Sequence, residues 1–563
     1  MKKKILFPLF ALAAILSFSA CSGKLTPLSE QYIRAEPQPL EAIGGEVPVT
    51  ISASFPAKWF NKNAIVTVTP VLRYATGETW GTSYSFQGEK VKANNQVVSF
   101  AGGGNATMRS RFEYKPAMRK SELYLTFDAK VKNKIIRLPD IKIADGVIST
   151  SEWADAATAN PAIGADKFQR IIKEAYDANI MFLIQQAELR SKELSKGEIS
   201  DWKNLVENAN QAPNQNVAVE ISAYASPDGG LKLNDALAER RETNTRNYLN
   251  RELKNRKIDV PVDTRYTAQD WEGFRELVSK SSLQDKDLVL RVLSMYSDPV
   301  QREQEIKNIS TVFKSLADEI LPQLRRSRLT ANIEIIGKSD EEIASLAKSN
   351  AGMLSIEEIL YAATLTENET EKETIYTKAS STYPDDYRTW NNIGMQRYRA
   401  GDFAKAEELF TKSNSIKNNS EANINLGLLA LQKGDKAKAQ QLFGSASDVP
   451  ELGEALGLLY LEQGDYAKAV SSFAGLKSNN AALAQILTKD YSTAAQTLNA
   501  VKKPDAITDY LKAVVAARTN DASGVVTNMK NAISKDRTLA REAANDLEFA
   551  KYLNNQAFAE LLR

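Results

Sequence analysis

The side chains best suited to catalysis are the ones this chain lacks. Histidine occurs at none of its 563 positions, and cysteine occurs once, at Cys21. Without imidazole there is no Ser-His-Asp or Cys-His activation, no histidine general base and no metal site built on ring nitrogens. Two Ser-x-x-Lys spacings, Ser200 with Lys203 and Ser345 with Lys348, have the form of an acylating serine beside a lysine base. Neither is joined by the Ser-Asp-Asn or Lys-Thr-Gly partners of such a centre, and two matches are expected by chance in a chain this rich in Ser and Lys. Gly102-Gly103-Gly104 is not followed by Gly-Lys-Ser/Thr, so it reads as a flexible hairpin rather than a phosphate cradle. No acidic calcium loop is present. The residues predict no catalytic centre, no cofactor and no metal. The arrangement left open is a carboxylate pair that only the fold brings together. With 72 Lys plus Arg against 70 Asp plus Glu, the net charge of +2 makes no case for nucleic acid as a partner.

The chemistry that remains is binding. An alternating strand over 217–224 runs into the turn Ala225-Ser226-Pro227-Asp228-Gly229-Gly230, and an amphipathic helix follows over 234–253 with Leu237, Tyr248 and Leu249 on its apolar side. Strand patterns also cover 178–182 and 329–336, and 202–209 is part of a helix. This strand, Ser-Pro-Asp-Gly turn and Asn234-Asp235-Ala236-Leu237-Ala238-Glu239-Arg240-Arg241 helix resembles the OmpA-like fold, whose Gly-Tyr-Thr-Asp turn precedes an Asn-x-x-Leu-Ser-x-Arg-Arg/Ala helix. Leu324-Arg325-Arg326-Ser327 resembles that family's arginine pair. Asp270-Trp271-Glu272-Gly273-Phe274 and the helical insertion reaching Pro322 resemble its Bacteroidales variant. The resemblance implies an α/β domain over 160–337 that binds peptidoglycan through meso-diaminopimelate, with an Asp on the ammonium and an Arg on the carboxylate. Aligned without gaps, the Arg falls on Arg241 and the Asp on Ser226, with Asp228 two residues on. Asp228, Asn234, Arg241 and Arg325 are therefore the candidate peptidoglycan residues. The alternative is a retained fold that no longer binds cell wall, with Arg325 and Arg326 as surface or packing residues.

The N-terminus places this chemistry in the cell envelope. Met1-Lys2-Lys3-Lys4, an apolar run over 5–16 and the small residues before Cys21 make a signal peptide over 1–20. The run is too short to span a bilayer, which takes about 20 residues. Small residues followed by a lone Cys resemble a bacterial lipobox, which implies lipidation of Cys21. Ser22-Gly23-Lys24-Leu25 carries no acidic surface-export signal, so the expected location is the periplasm-facing side of the outer membrane, held by a lipid anchor.

The elements that must position the candidate sites make a multidomain chain. Residues 21–43, with Pro27, Pro37 and Pro39, read as a lipidated tether. Residues 44–148 read as an all-β sandwich, with Pro48 and Pro70 at edges or strand ends. That segment holds 15 Lys plus Arg and 8 Asp plus Glu, a local charge of +7 that suits either anionic headgroups or plain solvation. A loop-like stretch over 144–166 leads into the α/β domain, and protease cuts are expected there and over 338–352. From 353 to 563 the chain is helical and repetitive. Trp390, Gly394, Ala406 and Phe410 fit the tetratricopeptide (TPR) pattern, Gly427, Ala439 and Phe443 follow 33 residues on, and Gly457, Ala469 and Phe473 another 30 on. Ala379 and Pro384 mark an earlier half-repeat. The pattern implies an α-solenoid with a concave protein-binding face. Helical spacing puts Arg388, Asn391, Met395, Tyr398 and Leu428 on that face, together with Ile424, Leu431, Leu458 and Leu461, an apolar groove for a protein segment or a neighbouring part of the same chain. The expected function is a non-catalytic envelope tether or scaffold that contacts an unidentified envelope protein. The alternative is an accessory subunit of an outer-membrane export, fimbrial or assembly complex without cell-wall binding.

Overall fold

Alternating burial builds the N-terminal region from strands. The computed structural model describes residues 25–308 and 310–563, so the signal peptide and Cys21 lie outside the described residues. The chain divides into two compact units, one formed by residues up to 165 together with 376–563, the other by 166–375. In the first unit, Glu46–Phe55 pairs antiparallel with Ile33–Glu36 on one side and Gly104–Glu113 on the other. A second sheet runs in the order Lys134–Asp145, Ser121–Val131, Ala64–Tyr74, Tyr84–Gly88, Gln96–Val98, with Gly77–Trp80 also on Ala64–Tyr74. The two sheets share one core, to which the first gives Val47, Val49, Ile51 and Phe55 and the second Val66, Val68, Leu123, Leu125 and Phe127.

Two expectations are corrected here. The tether expected over 21–43 is largely part of this region, since Leu25 and Leu28 are buried in the core, Ile33–Glu36 is a strand, and Leu40–Glu41 pairs parallel with Val147–Ile148. Four alternating residues flanked by Pro37 are too short a signal to stand out. Pro48 and Pro70 lie inside strands that have a neighbour on each side, but each falls at a gap. Ile33–Glu36 reaches only Thr50, short of Pro48. The pairing of Ala64–Tyr74 with Tyr84–Gly88 ends at Val68 and that with Gly77–Trp80 begins at Val71, leaving Pro70 between them. A missing N–H costs nothing where no partner strand is present.

The C-terminal part of this unit is a series of helix pairs: Tyr387–Arg399 with Phe403–Ile416, Ser420–Gln432 with Lys436–Gly444, Leu452–Gln463 with Tyr466–Ser472, Asn479–Leu487 with Tyr491–Asn499, and Ala506–Arg518 with Ala522–Lys535. One device turns each pair. Asp402, Asp435, Asp465, Asp490 and Asp521 cap the second helix by accepting a backbone N–H three residues on. The residue before each Asp is left-handed, with φ of 78, 73, 79, 66 and 60° at Gly401, Gly434, Gly464, Lys489 and Asn520. The signature glycines explain the packing within pairs. A Cβ at Gly394, Gly427 or Gly457 would sit 2.7, 2.2 or 2.7 Å from the ring of Phe410, Phe443 or Phe473.

The second unit holds a four-stranded sheet in the order Ile171–Met181, Arg326–Ile336, Gln215–Tyr224, Val262–Thr267, antiparallel except for the last pair. Helices Gly197–Gln211 and Leu231–Asn255 bury Ile199, Trp202, Val206, Leu249 and Leu253 against it. Helices Trp271–Lys280, Lys286–Met295 and Pro299–Asn308 have a core of their own around Phe274, Val278 and Leu293. The expected boundary at 337 is exceeded: Asp340–Ser349 is a helix capped by Ser339, so 338–352 is not the open linker expected.

Candidate binding sites

The turn predicted to meet cell wall is assembled, but its charges are spent inside the protein. Leu231–Asn255 carries Asn234, whose Nδ2 donates to the carbonyls of Ser226 (3.0 Å) and Gly229 (2.8 Å) and so fixes the turn. Asp228 accepts from Ser226 Oγ at 2.6 Å and from Arg325 Nη2 at 3.0 Å. Arg241 has no exposed surface. Its Nε, Nη1 and Nη2 donate to the carbonyls of Gln186 (2.9 Å), Tyr224 (2.8 Å) and Leu183 (3.2 Å), and its guanidinium lies over the Phe182 ring. Burial, aided by the Arg325 charge and opposed by Asp228, lowers its pKa to about 10. Arg326 pairs with Asp270, the cap of Trp271–Lys280. The structure thus brings Asp228, Asn234 and Arg325 together at the turn and seals Arg241 against main-chain carbonyls. These contacts are those of packing and bracing residues.

Neither Ser-x-x-Lys pair has a free lysine. Lys203 Nζ donates to Glu252 (2.9 Å) and Tyr248 (3.2 Å), contacts that hold its pKa above the usual value against the opposing effect of burial. Lys348 pairs with Glu371. Among the described residues, no group of three His, Cys, Asp or Glu side chains could hold a metal ion, and no helix is long and apolar enough to cross a membrane.

The second site is the inner face of the helix pairs, and here the chain grips itself. Residues 149–165, apart from the short turns Thr150–Trp153 and Ala156–Thr158, have no regular structure, yet they run as a strap across successive repeats. Asp155 N–H donates to Asn480 Oδ1 (3.0 Å) and its carbonyl accepts from Asn480 Nδ2 (3.0 Å). The N–H of Ala162 donates to Asn425 Oδ1 (2.6 Å), and its carbonyl accepts from the Nδ2 of Asn425 (2.8 Å) and Asn391 (2.9 Å). Gly164 exchanges the same two bonds with Asn392 (2.8 and 2.9 Å). Between them, Asn160 donates N–H and Nδ2 to Glu454, whose carboxyl burial pushes above its usual pKa while the Asn160 bonds oppose the shift. The Tyr398 hydroxyl donates to the Ala156 carbonyl, and Arg388 Nη1 to that of Ala165.

Of the expected groove residues, Arg388, Asn391 and Tyr398 therefore hold the strap, while Met395 and Leu428 are buried beside them. The groove is amide-lined where it grips, not apolar as expected, and the loop expected to invite proteases is its occupant. Sequence reasoning passed over Asn392, Asn425, Glu454 and Asn480. The signal was present, because Asn392 and Asn425 each stand two residues before a signature glycine.

The C-terminal region carries TPR-type helix pairs. No family model matches the sequence, and no curated protein does. Among solved structures the chain is similar to a tetratricopeptide repeat protein from Parabacteroides merdae, at 17% identity over 46% of this chain and 96% of that one, with a TM-score of 0.27. It is also similar to yeast Tom70, at 12% identity over 58% of this chain and 77% of that one, with a TM-score of 0.25. For Salmonella alpha-2-macroglobulin reacted with methylamine the values are 12%, 77%, 27% and 0.13. The repeat assignment stands on the glycine–aromatic geometry of this chain.

Proposed function

We propose that the chain is a non-catalytic scaffold, anchored by a lipid on Cys21 to the periplasmic side of the outer membrane, and that it serves as an accessory subunit of an export, fimbrial or assembly complex. The observation that carries this reading is the row of inward asparagines on the solenoid, which holds an extended polypeptide by its main chain. Protein binding is the chemistry such a surface performs. The charge of +7 on the strand-rich region, the part nearest Cys21 in sequence, supports a place beside anionic headgroups. The strand, turn and helix around Asp228, beside the sheet's one parallel pair, support the OmpA-like reading of 166–375. The engagement of Asp228 by Arg325 and the burial of Arg241 support a member of that fold that has lost its cell-wall ligand.

Three measurements test the reading. Cys21→Ser should abolish metabolic acyl labelling and release the protein from membranes. The unlipidated full chain should stay in the supernatant when purified sacculi are sedimented; sedimentation that Asp228→Asn abolishes would restore peptidoglycan as a partner. Crosslinking in cells followed by purification should recover envelope proteins rather than cell-wall fragments.

A further inference from the structure

We propose that the solenoid groove is a receptor for an extended, small-residue segment of another polypeptide, read through its main chain, and that residues 155–164 are a resident occupant that keeps the site closed until such a segment displaces them. The inference rests on the reading of the solenoid as a protein-binding surface and adds the class of partner and the gate.

Three observations carry it. The first is the form of the contact. At Asp155, Ala162 and Gly164 one asparagine amide satisfies both the N–H and the C=O of the same residue. A primary amide presents the complement of a peptide unit, so these bonds are blind to the side chain and any extended chain can make them. The second is what the groove excludes. Ala156, Ala159, Pro161, Ala162 and Gly164 are the strap's buried positions, and a Cβ on Gly164 would lie 2.8 Å from the Cβ and Cγ of Arg388. The site thus selects small residues by sterics. The third is how little anchors the strap otherwise. Over 149–165, Trp153, tilted against Tyr510, is the only aromatic side chain, and a cavity of about 270 Å³ remains beside it, lined by Trp153, Thr158, Asn479 and Asp505. A competing main chain replaces the strap's main-chain hydrogen bonds one for one, and loses the side-chain bonds of Asn160 to Glu454 and of Asn480 to Thr158. What favours the strap is its tether, which supplies an effective concentration on the order of millimolar.

The test uses the full chain and a fluorescent peptide of residues 152–166. Wild type should show no saturable binding at micromolar peptide. Gly164→Val, which expels the strap without altering the groove, should bind at least about tenfold more tightly. Asn392→Ala with Asn425→Ala in that background should remove the binding, and so should N-methylation of the peptide at Ala162, which deletes one donor and leaves the side chain in place. Binding that survives N-methylation, or no binding to a folded Gly164→Val chain, overturns the proposal. Hydrogen exchange on wild type decides the matter should that variant not fold. The amides of Ala162 and Gly164 should exchange by local opening, well before those of the helix Ser420–Gln432, and equal protection of both would make the strap a permanent part of the fold. Failure here alongside recovery of crosslinked partners would leave the scaffold reading intact.

Discussion

Asn425 is satisfied on both sides by the main chain of one residue, Ala162, which makes its removal costly in a specific way. Asn425→Ala leaves the buried N–H of Ala162 without an acceptor, and the full chain should lose about 2–3 kcal/mol, read from the urea midpoint. At Arg241 the same logic applies to a charge. Arg241→Lys keeps the charge but cannot reach three carbonyls in a planar fork, so a loss of about 3 kcal/mol is expected rather than rescue. A third residue sets a pH dependence. Burial, with the Glu152 charge adding to it and Lys436 opposing, raises the Glu462 carboxyl from 4.5 to about 7. Between those values the folded chain holds a proton that the unfolded chain has released, so this group's contribution to stability falls as pH rises through the window and is lowest above pH 7. Glu462→Gln should flatten that part of the melting profile and melt higher than wild type at pH 8. At this scale the sequence was half legible. Arg241 and Asn391 were found by motif and helical spacing. That Arg241 is sealed depends on carbonyls of residues 183 and 186, which no spacing rule ties to it, and Asn392 was skipped because a seam read at Arg388, Asn391 and Met395 passes over its neighbour.

Repeat helices were the most legible elements, because their signal is a fixed offset between a glycine and an aromatic ring. Gly427→Ala should cost about 1–3 kcal/mol through overpacking on Phe443, and Phe443→Leu in the same chain should recover part of it, since the ring is what the new Cβ meets. The turns between paired helices make an opposite prediction. Lys489 occupies the left-handed position that Gly401, Gly434 and Gly464 hold in earlier repeats, so Lys489→Gly should raise stability by a few tenths to about 1 kcal/mol. Thermal melts of the two variants should move in opposite directions. Short strands were not legible: Ile33–Glu36 offers two buried side chains, and its pairing is decided by Thr50 to Ala53 rather than by its own pattern.

At the scale of the whole chain, the two units should melt separately. Calorimetry should show one transition for 25–165 together with 376–563 and another for 166–375, and limited proteolysis should spare 149–165 as long as the first unit is folded. The strap was illegible for a simple reason: its order comes from side chains up to 398 positions away, and its own Ala-rich sequence has no period. That distance has a consequence for biogenesis. The chain emerges N-terminus first, so the strap exists as a naked stretch while more than two hundred further residues are still to come, and its first asparagine partners follow only with the repeats. A chain cut short before the repeats would carry the strap exposed for good, with the main-chain N–H and C=O of three residues that nothing in the fragment is built to cover. Quality-control proteases that cleave unstructured segments would then find an open target in every truncated copy and none in a finished one, which makes the strap a record of whether synthesis reached the end.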